Sequence, residues 1–136
     1  GLSMIRKQKT SGFSLIELMV VVAIIAIIAA IAYPSYQESI QRTRRAAAAG
    51  CMMGLSQFME RYYTTNMSYL NAVLPACQAD VIPFYLANFA AGPAATTYTL
   101  QVVPQGAQAN DVCGTLTIDQ TGLRTPDPVV RRECWR

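Results

Sequence analysis

The hydrophobic pattern divides the chain into three regions. Residues 13–33 are almost uniformly apolar, and Glu17 is the one charged residue among them. From residue 34 to residue 62 the apolar positions recur at steps of three, four and seven, which is the period of one helix face. That stripe consists of Tyr36, Ile40, Ala47, Cys51, Leu55, Phe58 and Tyr62. After residue 62 the apolar runs become short and alternate partially, as in strands.

The first two regions predict one long helix. The apolar run of 21 residues would span roughly 31 Å as a helix, which is the thickness of a hydrocarbon core. Pro34 removes one backbone hydrogen bond and is expected to kink the helix without ending it. The alanine run at 46–49 continues the helical signal. We therefore expect a helix of about 50 residues, apolar all round in its first half and amphipathic in its second.

The third region predicts a small antiparallel sheet of about four strands. Residues 63–83 are polar and loop-like, and three β-rich runs follow at 83–89, 96–103 and 113–119. Asp119–Gly122 is typical of a hairpin turn and leads into a short fourth strand at 123–125. The fold class is therefore α+β, with the amphipathic half of the helix packed on this sheet.

The net charge of +3 has a local origin. Arg6, Lys7 and Lys9 supply all of it, because the eight Arg after residue 12 are balanced by eight Asp and Glu. A cationic flank before an apolar run keeps the N-terminus cytoplasmic and directs the remainder outward. The charge is a topology signal rather than a nucleic-acid signature.

Four cysteines lie on the outward side of the apolar run. An even number in a small exported domain predicts two disulfides, and the sequence alone leaves three pairings open. The chain has no His and no Cys-x-x-Cys spacing, so we expect no metal and no other cofactor. The four are Cys51, Cys77, Cys113 and Cys134.

The sequence also predicts no enzyme activity. No carboxylate pair stands in a recognisable catalytic motif, and the aspartates at 80, 111, 119 and 127 are interpreted as turn residues. Trp135, beside Cys134, is expected to pack against a disulfide rather than to serve as a ligand platform.

Two ordinary interpretations of the apolar run leave Glu17 unexplained. A secretion signal could be cleaved after Ala30-Ile31-Ala32, but the run is long for such a signal and the amphipathic helix follows without a loop. A simple single-span anchor explains the length of the apolar run but not the presence of Glu17. An ionisable side chain at mid-bilayer costs roughly 2.5–3.5 kcal/mol.

The sequence KQKTSGFSLIELMVVVAIIAIIAAIAYPSY resembles the N-terminal signature of type IV pilins. In that signature a short basic leader ends in Gly and is followed by Phe, by Glu as the fifth mature residue, and by an apolar helix with a proline. Gly12, Phe13, Glu17 and Pro34 occupy these positions. The resemblance implies that residues 1–12 are a leader, and that a prepilin peptidase cleaves between Gly12 and Phe13. It also implies N-methylation of Phe13.

The same resemblance implies a role for the retained apolar helix. Residues 13–34 would form the membrane span and later the filament core, and residues 35–136 the globular pilin domain. Glu17 would neutralise the new N-terminal amine of a neighbouring subunit, because a buried charge is tolerated when it is paired. Glu17 and Pro34 are therefore assigned to assembly.

The pilin resemblance also implies a disulfide pattern and a function. Cys113 would pair with Cys134 to close the C-terminal region, which leaves Cys51 for Cys77. The C-terminal third most resembles minor pilins of the type IVa system. The implied function is a structural subunit for pilus assembly or priming, and hence for twitching motility, adhesion or DNA uptake.

The resemblance implies partners and a location as well. The partners are major and minor pilins through the N-terminal helix, the prepilin peptidase and the inner-membrane assembly platform. The protein would be a single-pass inner-membrane protein with a cytoplasmic N-terminus before assembly, and part of an extracellular pilus fibre afterwards.

Two alternative functions remain open at this stage. A pseudopilin of a type II secretion system shares the N-terminal signature, although the C-terminal cysteine pair favours the pilus. A DNA-binding minor pilin would use a basic cluster, but Asp127 and Glu133 reduce its local excess to +2 (four arginines minus two acids), so a solvated face is preferred. The candidate DNA contacts are Arg124, Arg131, Arg132 and Arg136.

Overall fold

The computed structural model describes residues 13–136, and the leader predicted at 1–12 lies outside them. Helix α1 spans Leu15–Asn66. The strands are β1 (Tyr85–Ala91), β2 (Thr99–Pro104), β3 (Leu116–Asp119) and β4 (Arg124–Thr125), with short 3-10 turns at Gly106–Gln108 and Arg132–Cys134. The chain divides into two compact units, the first ending at Glu38 and the second comprising Ser39–Arg136.

In the first unit, α1 begins at a capped N-terminus. The Ser14 hydroxyl accepts the backbone N–H of Glu17 at 3.1 Å, so it satisfies one of the free donors of the first turn. The helix then continues through Pro34, as predicted. Its most apolar 18-residue window has a mean hydropathy of 3.0 and none of it is buried. By length and composition this segment can cross a membrane.

In the second unit, the buried face of α1 is shifted from the predicted stripe. Cys51 and Leu55 are buried as expected, but Phe58 and Tyr62 are only half-buried. Tyr36, the first residue of the predicted stripe, belongs to the first unit and is exposed. Apolar residues occupy two neighbouring faces of this helix, so periodicity alone does not select between them, and contact with the sheet does. The buried residues of α1 are Arg45, Ala48, Ala49, Cys51, Met52, Leu55 and Met59.

The sheet is an antiparallel meander in the order β1-β2-β3-β4. Leu100 pairs with Ile118 and Val102 with Leu116, and all four side chains are at most 2% exposed. Because alternate residues of a strand point to the same face, these four present one apolar surface. They join Met52 and the other buried apolar residues of α1 in a single core.

A hairpin turn joins β3 to β4 at the predicted place. The Asp119 carboxylate accepts the N–H of Thr121 at 2.9 Å and that of Leu123 at 3.1 Å. Gly122 has a φ of +86°, which a residue with a Cβ rarely adopts. The turn therefore depends on an acceptor side chain at its start and a glycine near its end.

Two disulfides close the second unit. Cys51 on α1 bonds to Cys77 in the loop before β1, and Cys113 ahead of β3 bonds to Cys134 near the C-terminus. The Cα atoms are 5.7 Å apart in each pair, within the usual range for a disulfide. Cys113–Cys134 is the pair implied by the pilin resemblance, and Cys51–Cys77 is the pair expected from the two remaining cysteines.

Candidate filament and nucleic-acid interfaces

The first candidate interface is the exposed apolar part of α1. Phe13 and Glu17 lie at its start, and Gly12 falls outside the described residues. Every large apolar side chain from Phe13 to Tyr33 is exposed. Within residues 13–136 no cationic side chain forms an ion pair with Glu17. This segment therefore presents a continuous apolar surface that carries one carboxylate.

The second candidate interface lies at the C-terminal end of the sheet. The tail after β4 folds back, because the indole Nε1–H of Trp135 donates a 2.7 Å hydrogen bond to the Pro126 carbonyl. The Arg124 guanidinium lies over the Trp135 ring, 5.4 Å from its centroid. The fold therefore brings Arg124 of β4 beside the tail that carries the other three arginines of the predicted basic cluster.

These arginines differ in how their charge is balanced. Arg131 pairs with Glu133 at 2.8 Å and also donates to the Val112 carbonyl at 3.5 Å. The pKa of Glu133 is lowered, chiefly by this hydrogen bond from Arg131. The described part of the chain contains ion pairs only at Arg131–Glu133 and Arg45–Asp111. Arg124, Arg132 and Arg136 are therefore the cluster members without such a partner there.

Asp127 holds the turn between these residues. Its carboxylate accepts the Val129 N–H at 2.8 Å, and its carbonyl accepts the Arg131 N–H at 2.7 Å. This is the turn role expected from the sequence. The two hydrogen bonds fix the backbone that leads to Arg131 and Arg132.

Asp111, in contrast, is more than a turn residue, and its pairing was missed by the sequence analysis. Its carboxylate accepts a 2.8 Å hydrogen bond from Arg45 of α1, and both side chains are buried. The second carboxylate oxygen accepts the Cys113 N–H at 3.3 Å. The ion pair thus links the helix to the residue that forms the C-terminal disulfide. Arg45, a charged residue among the apolar residues of α1, was the sequence feature that could have indicated a buried ion pair.

Gln108 extends this buried polar group. Its side-chain amide donates to the Gln41 carbonyl at 2.9 Å and to the Tyr85 hydroxyl at 3.2 Å. Burial raises the pKa of Tyr85. The connection between β2 and β3 is therefore attached to both α1 and β1 by side-chain hydrogen bonds.

A second polar group that the sequence analysis did not predict lies near the C-terminal end of α1. The Tyr69 and Tyr98 hydroxyls donate to Glu60, with oxygen–oxygen distances of 3.1–3.2 Å. Burial, together with the negative charge of Glu60, raises the pKa of each tyrosine to about 12. The two rings pack edge to face at 4.8 Å between centroids. This group attaches Tyr69, in the loop after α1, and Tyr98, the residue before β2, to the helix.

In the described residues no three or more Cys, Asp or Glu side chains are grouped to hold a metal ion. The charged groups described above are engaged in turns, in the core or at the surface.

Comparison with known proteins places both interfaces in context. A family model described as the prokaryotic N-terminal methylation motif matches residues 7–33. A second, described as the type IV minor pilin ComP, DNA uptake sequence receptor, matches residues 34–117. The fimbrial protein EcpC of Eikenella corrodens is 38% identical over 120 residues, which cover 86% of this chain and 68% of that protein.

Solved structures show the same architecture. A type IV pilin from Shewanella oneidensis has a TM-score of 0.54 and 29% identity, and the match covers 63% of this chain and 91% of that one. The non-core minor pilin PilV of Neisseria meningitidis has a TM-score of 0.54 at 16% identity, with coverage of 65% and 87%. The second likeness concerns the fold alone.

A long N-terminal helix packed on a four-stranded antiparallel sheet is therefore the pilin fold. The chain belongs to the ComP family of type IV minor pilins. As such it is a structural pilus subunit that associates with other pilins, is anchored through its apolar helix and is incorporated into a pilus. The matches favour the pilus over a type II secretion pseudopilin.

Proposed function

We propose that this minor pilin binds double-stranded DNA at the surface of a type IV pilus and acts as an uptake receptor. The observation that carries the proposal is a group of three arginines that form no ion pair within residues 13–136. Arg124 lies over the Trp135 ring, and Arg132 and Arg136 belong to the tail that carries this tryptophan. The sequence alone favoured a solvated face. The family whose description names a DNA uptake sequence receptor gives the DNA interpretation more weight.

The charge balance within the cluster supports three of its four arginines as the DNA contacts. Arg131 is already engaged by Glu133 and by the Val112 carbonyl, so a phosphate would have to displace those partners. Within residues 13–136, Arg124, Arg132 and Arg136 form no ion pair that a phosphate would have to displace. Three phosphate contacts correspond to a slope of log K against log[salt] of about −2.7.

The DNA test uses the processed protein in nanodiscs of zwitterionic lipid and a short fluorescent duplex over a salt series. We expect binding at about 50 mM salt and a decline as salt rises. The double variant Arg132→Gln/Arg136→Gln should reduce the magnitude of the slope by about 2. The control Arg61→Gln, on the exposed side of α1, removes one charge outside the cluster and should have little effect.

Two outcomes would contradict DNA binding at this surface. One is the absence of binding by the wild-type protein at about 50 mM salt. The other is an equal loss per removed charge in Arg61→Gln and in the double variant. In cells, the double variant should lower DNA uptake while pilus number stays the same.

The proposal includes the route by which the subunit reaches the pilus. A prepilin peptidase cleaves between Gly12 and Phe13, and the new Phe13 amine is methylated; the methylation-motif match at 7–33 supports this step. The N-terminus is cytoplasmic before assembly, with residues 13–34 in the inner membrane and residues 35–136 outside the cytoplasm. The subunit then passes through the inner-membrane assembly platform into an extracellular fibre. It carries out no catalysis.

Within the fibre, Glu17 pairs with the Phe13 amine of a neighbouring subunit. The exposed apolar surface of α1 and the absence of an ion-pair partner for Glu17 within residues 13–136 support this assignment. An unpaired charge in a low-dielectric bundle is costly, so the pair selects the correct register. Pro34 marks the end of the core segment. Through assembly or priming, the subunit contributes to twitching motility and adhesion.

A further inference from the structure

Trp135 is held in one orientation from several sides. Its indole N–H donates to the Pro126 carbonyl at 2.7 Å, and its backbone N–H donates to the Arg132 carbonyl at 3.2 Å. The preceding residue, Cys134, is fully buried and bonded to Cys113. The ring itself is half-buried against the core. A tryptophan fixed in this way is a rigid part of the surface.

Arg124 lies on this ring and is only half-buried. Its guanidinium carbon is 5.4 Å from the ring centroid, within the range of a cation–π interaction. A guanidinium over an aromatic face keeps its edge N–H groups free, and these groups match the geometry of a phosphate. Within residues 13–136 no carboxylate forms an ion pair with Arg124. The side chain is therefore oriented and still able to bind an anion.

We propose that Trp135 is a positioning residue that orders Arg124 for one contact to a DNA phosphate. This inference rests on the proposed DNA function. An arginine side chain loses rotamer entropy when it is fixed, so prior contact with an aromatic ring reduces the loss on binding. Trp135 does not itself bind DNA, because its ring face is covered by Arg124.

The opposing explanation is that Trp135 contacts DNA directly, as an aromatic platform on which a base stacks. The two explanations differ in one measurable respect. A positioning residue has no effect once Arg124 is removed, whereas a base-stacking residue still contributes. A purely structural tryptophan would also act in the absence of Arg124.

The test is a double-mutant cycle measured with the processed protein in zwitterionic nanodiscs and a short fluorescent duplex. Arg124→Gln should weaken binding and reduce the magnitude of the salt slope by about 1. Trp135→Leu should weaken binding about 2- to 5-fold and leave the slope unchanged, since the charge of Arg124 is retained. In the Arg124→Gln background, Trp135→Leu should have no further effect.

Trp135→Phe supplies the matched control. It keeps an aromatic face and removes the N–H that donates to Pro126, so its affinity should fall between those of the wild-type protein and Trp135→Leu. Mass analysis without reductant establishes that both disulfides are formed in each variant. Relaxation of the Arg124 side-chain Nε–H should show greater mobility in Trp135→Leu than in the wild type, without any DNA present.

The outcomes separate the two levels of the proposal. If the wild-type protein fails to bind the duplex, the DNA function and the inference that rests on it both fail. If the wild type binds but Trp135→Leu weakens binding equally with and without Arg124, the DNA function stands and the positioning role is overturned. Unchanged Arg124 mobility in Trp135→Leu would also overturn it.

Discussion

The two halves of α1 differ in what covers their apolar side chains. From Phe13 to Tyr33 the large apolar side chains are between 43% (Val21) and 80% (Phe13) exposed. From Ala48 to Met59 the buried apolar side chains are at most 7% exposed, because the sheet covers them. Helix formation is local and succeeds in both halves. Burial depends on contacts beyond the helix itself. The apolar side chains of the first half therefore need lipid, and then other subunits, to cover them.

Each half also carries a charge on an apolar surface. Arg45 finds its partner, Asp111, within the same domain at 2.8 Å. Glu17 has no ion-pair partner within residues 13–136, and its environment becomes apolar when the helix enters a membrane or a fibre. The second half is therefore stabilised within the chain, whereas for the first half we propose stabilising contacts with other chains. Four experiments test that contrast.

The largest effect is expected for Glu17→Gln, which keeps the length of the side chain and removes its charge. Membrane insertion should be unchanged, while incorporation into pili should fall on the order of a hundredfold, as for loss of one partner of a buried pair. The measurement is the ratio of the protein in sheared pili to that in membranes. Glu38→Gln, an exposed carboxylate on the same helix, is the control. Normal incorporation of Glu17→Gln would refute pairing between subunits.

A smaller but still large effect is expected for Asp111→Ala. It leaves Arg45 charged and buried without its partner, which should lower the free energy of unfolding by about 3–5 kcal/mol. Urea unfolding of the second unit, followed by near-ultraviolet circular dichroism, measures the change. The double variant Arg45→Met/Asp111→Asn removes the stranded charge and should recover most of the loss. A loss below about 1 kcal/mol in Asp111→Ala would mean that the pair does not stabilise the domain.

Alkaline pH should weaken the other end of the helix–sheet contact. Tyr69 and Tyr98 ionise at about pH 12 when folded, compared with a pKa near 10 when unfolded. Their contribution is complete below pH 10 and is lost as pH rises to about 12, on the order of 2 kcal/mol for each tyrosine.

Tyrosinate absorbance and unfolding followed over the same pH range measure this effect. Glu60→Gln removes the neighbouring negative charge and should bring both transitions to lower pH. Titration of all tyrosines near pH 10 without loss of stability would contradict the assignment.

The smallest effect is expected at the turn between β3 and β4, away from α1. Asp119→Ala removes the acceptor for Thr121 and Leu123 and should reduce stability by about 1 kcal/mol. Hydrogen bonding, chiefly from the Thr121 side chain, lowers the pKa of Asp119, so its contribution is present above the unfolded pKa and is lost as pH falls. Asp119→Asn keeps an acceptor and should cost less. If Asp119→Ala and Asp111→Ala lowered the free energy of unfolding equally, the expected difference between an exposed turn and a buried ion pair would be contradicted.

Much of the fold could be predicted because it rests on local signals. The apolar run, the continuation past Pro34 and the four strands follow from periodicity and turn residues. The hairpin at Asp119–Gly122 follows from residue types that act over four positions. The buried face of α1 was less predictable, since apolar residues on two adjacent faces satisfy the same period.

The amino-acid sequence by itself determined which segments are helix and strand, and where the pilin signature lies, because these depend on neighbours along the chain. Tertiary structure decided that Arg45 meets Asp111 across 66 positions, and that Trp135 lies under Arg124. It also separated Arg131, which pairs with Glu133, from the three arginines of the cluster that have no ion-pair partner within residues 13–136. Such pairings arise because folding brings distant side chains within a few ångströms, and no local period encodes them.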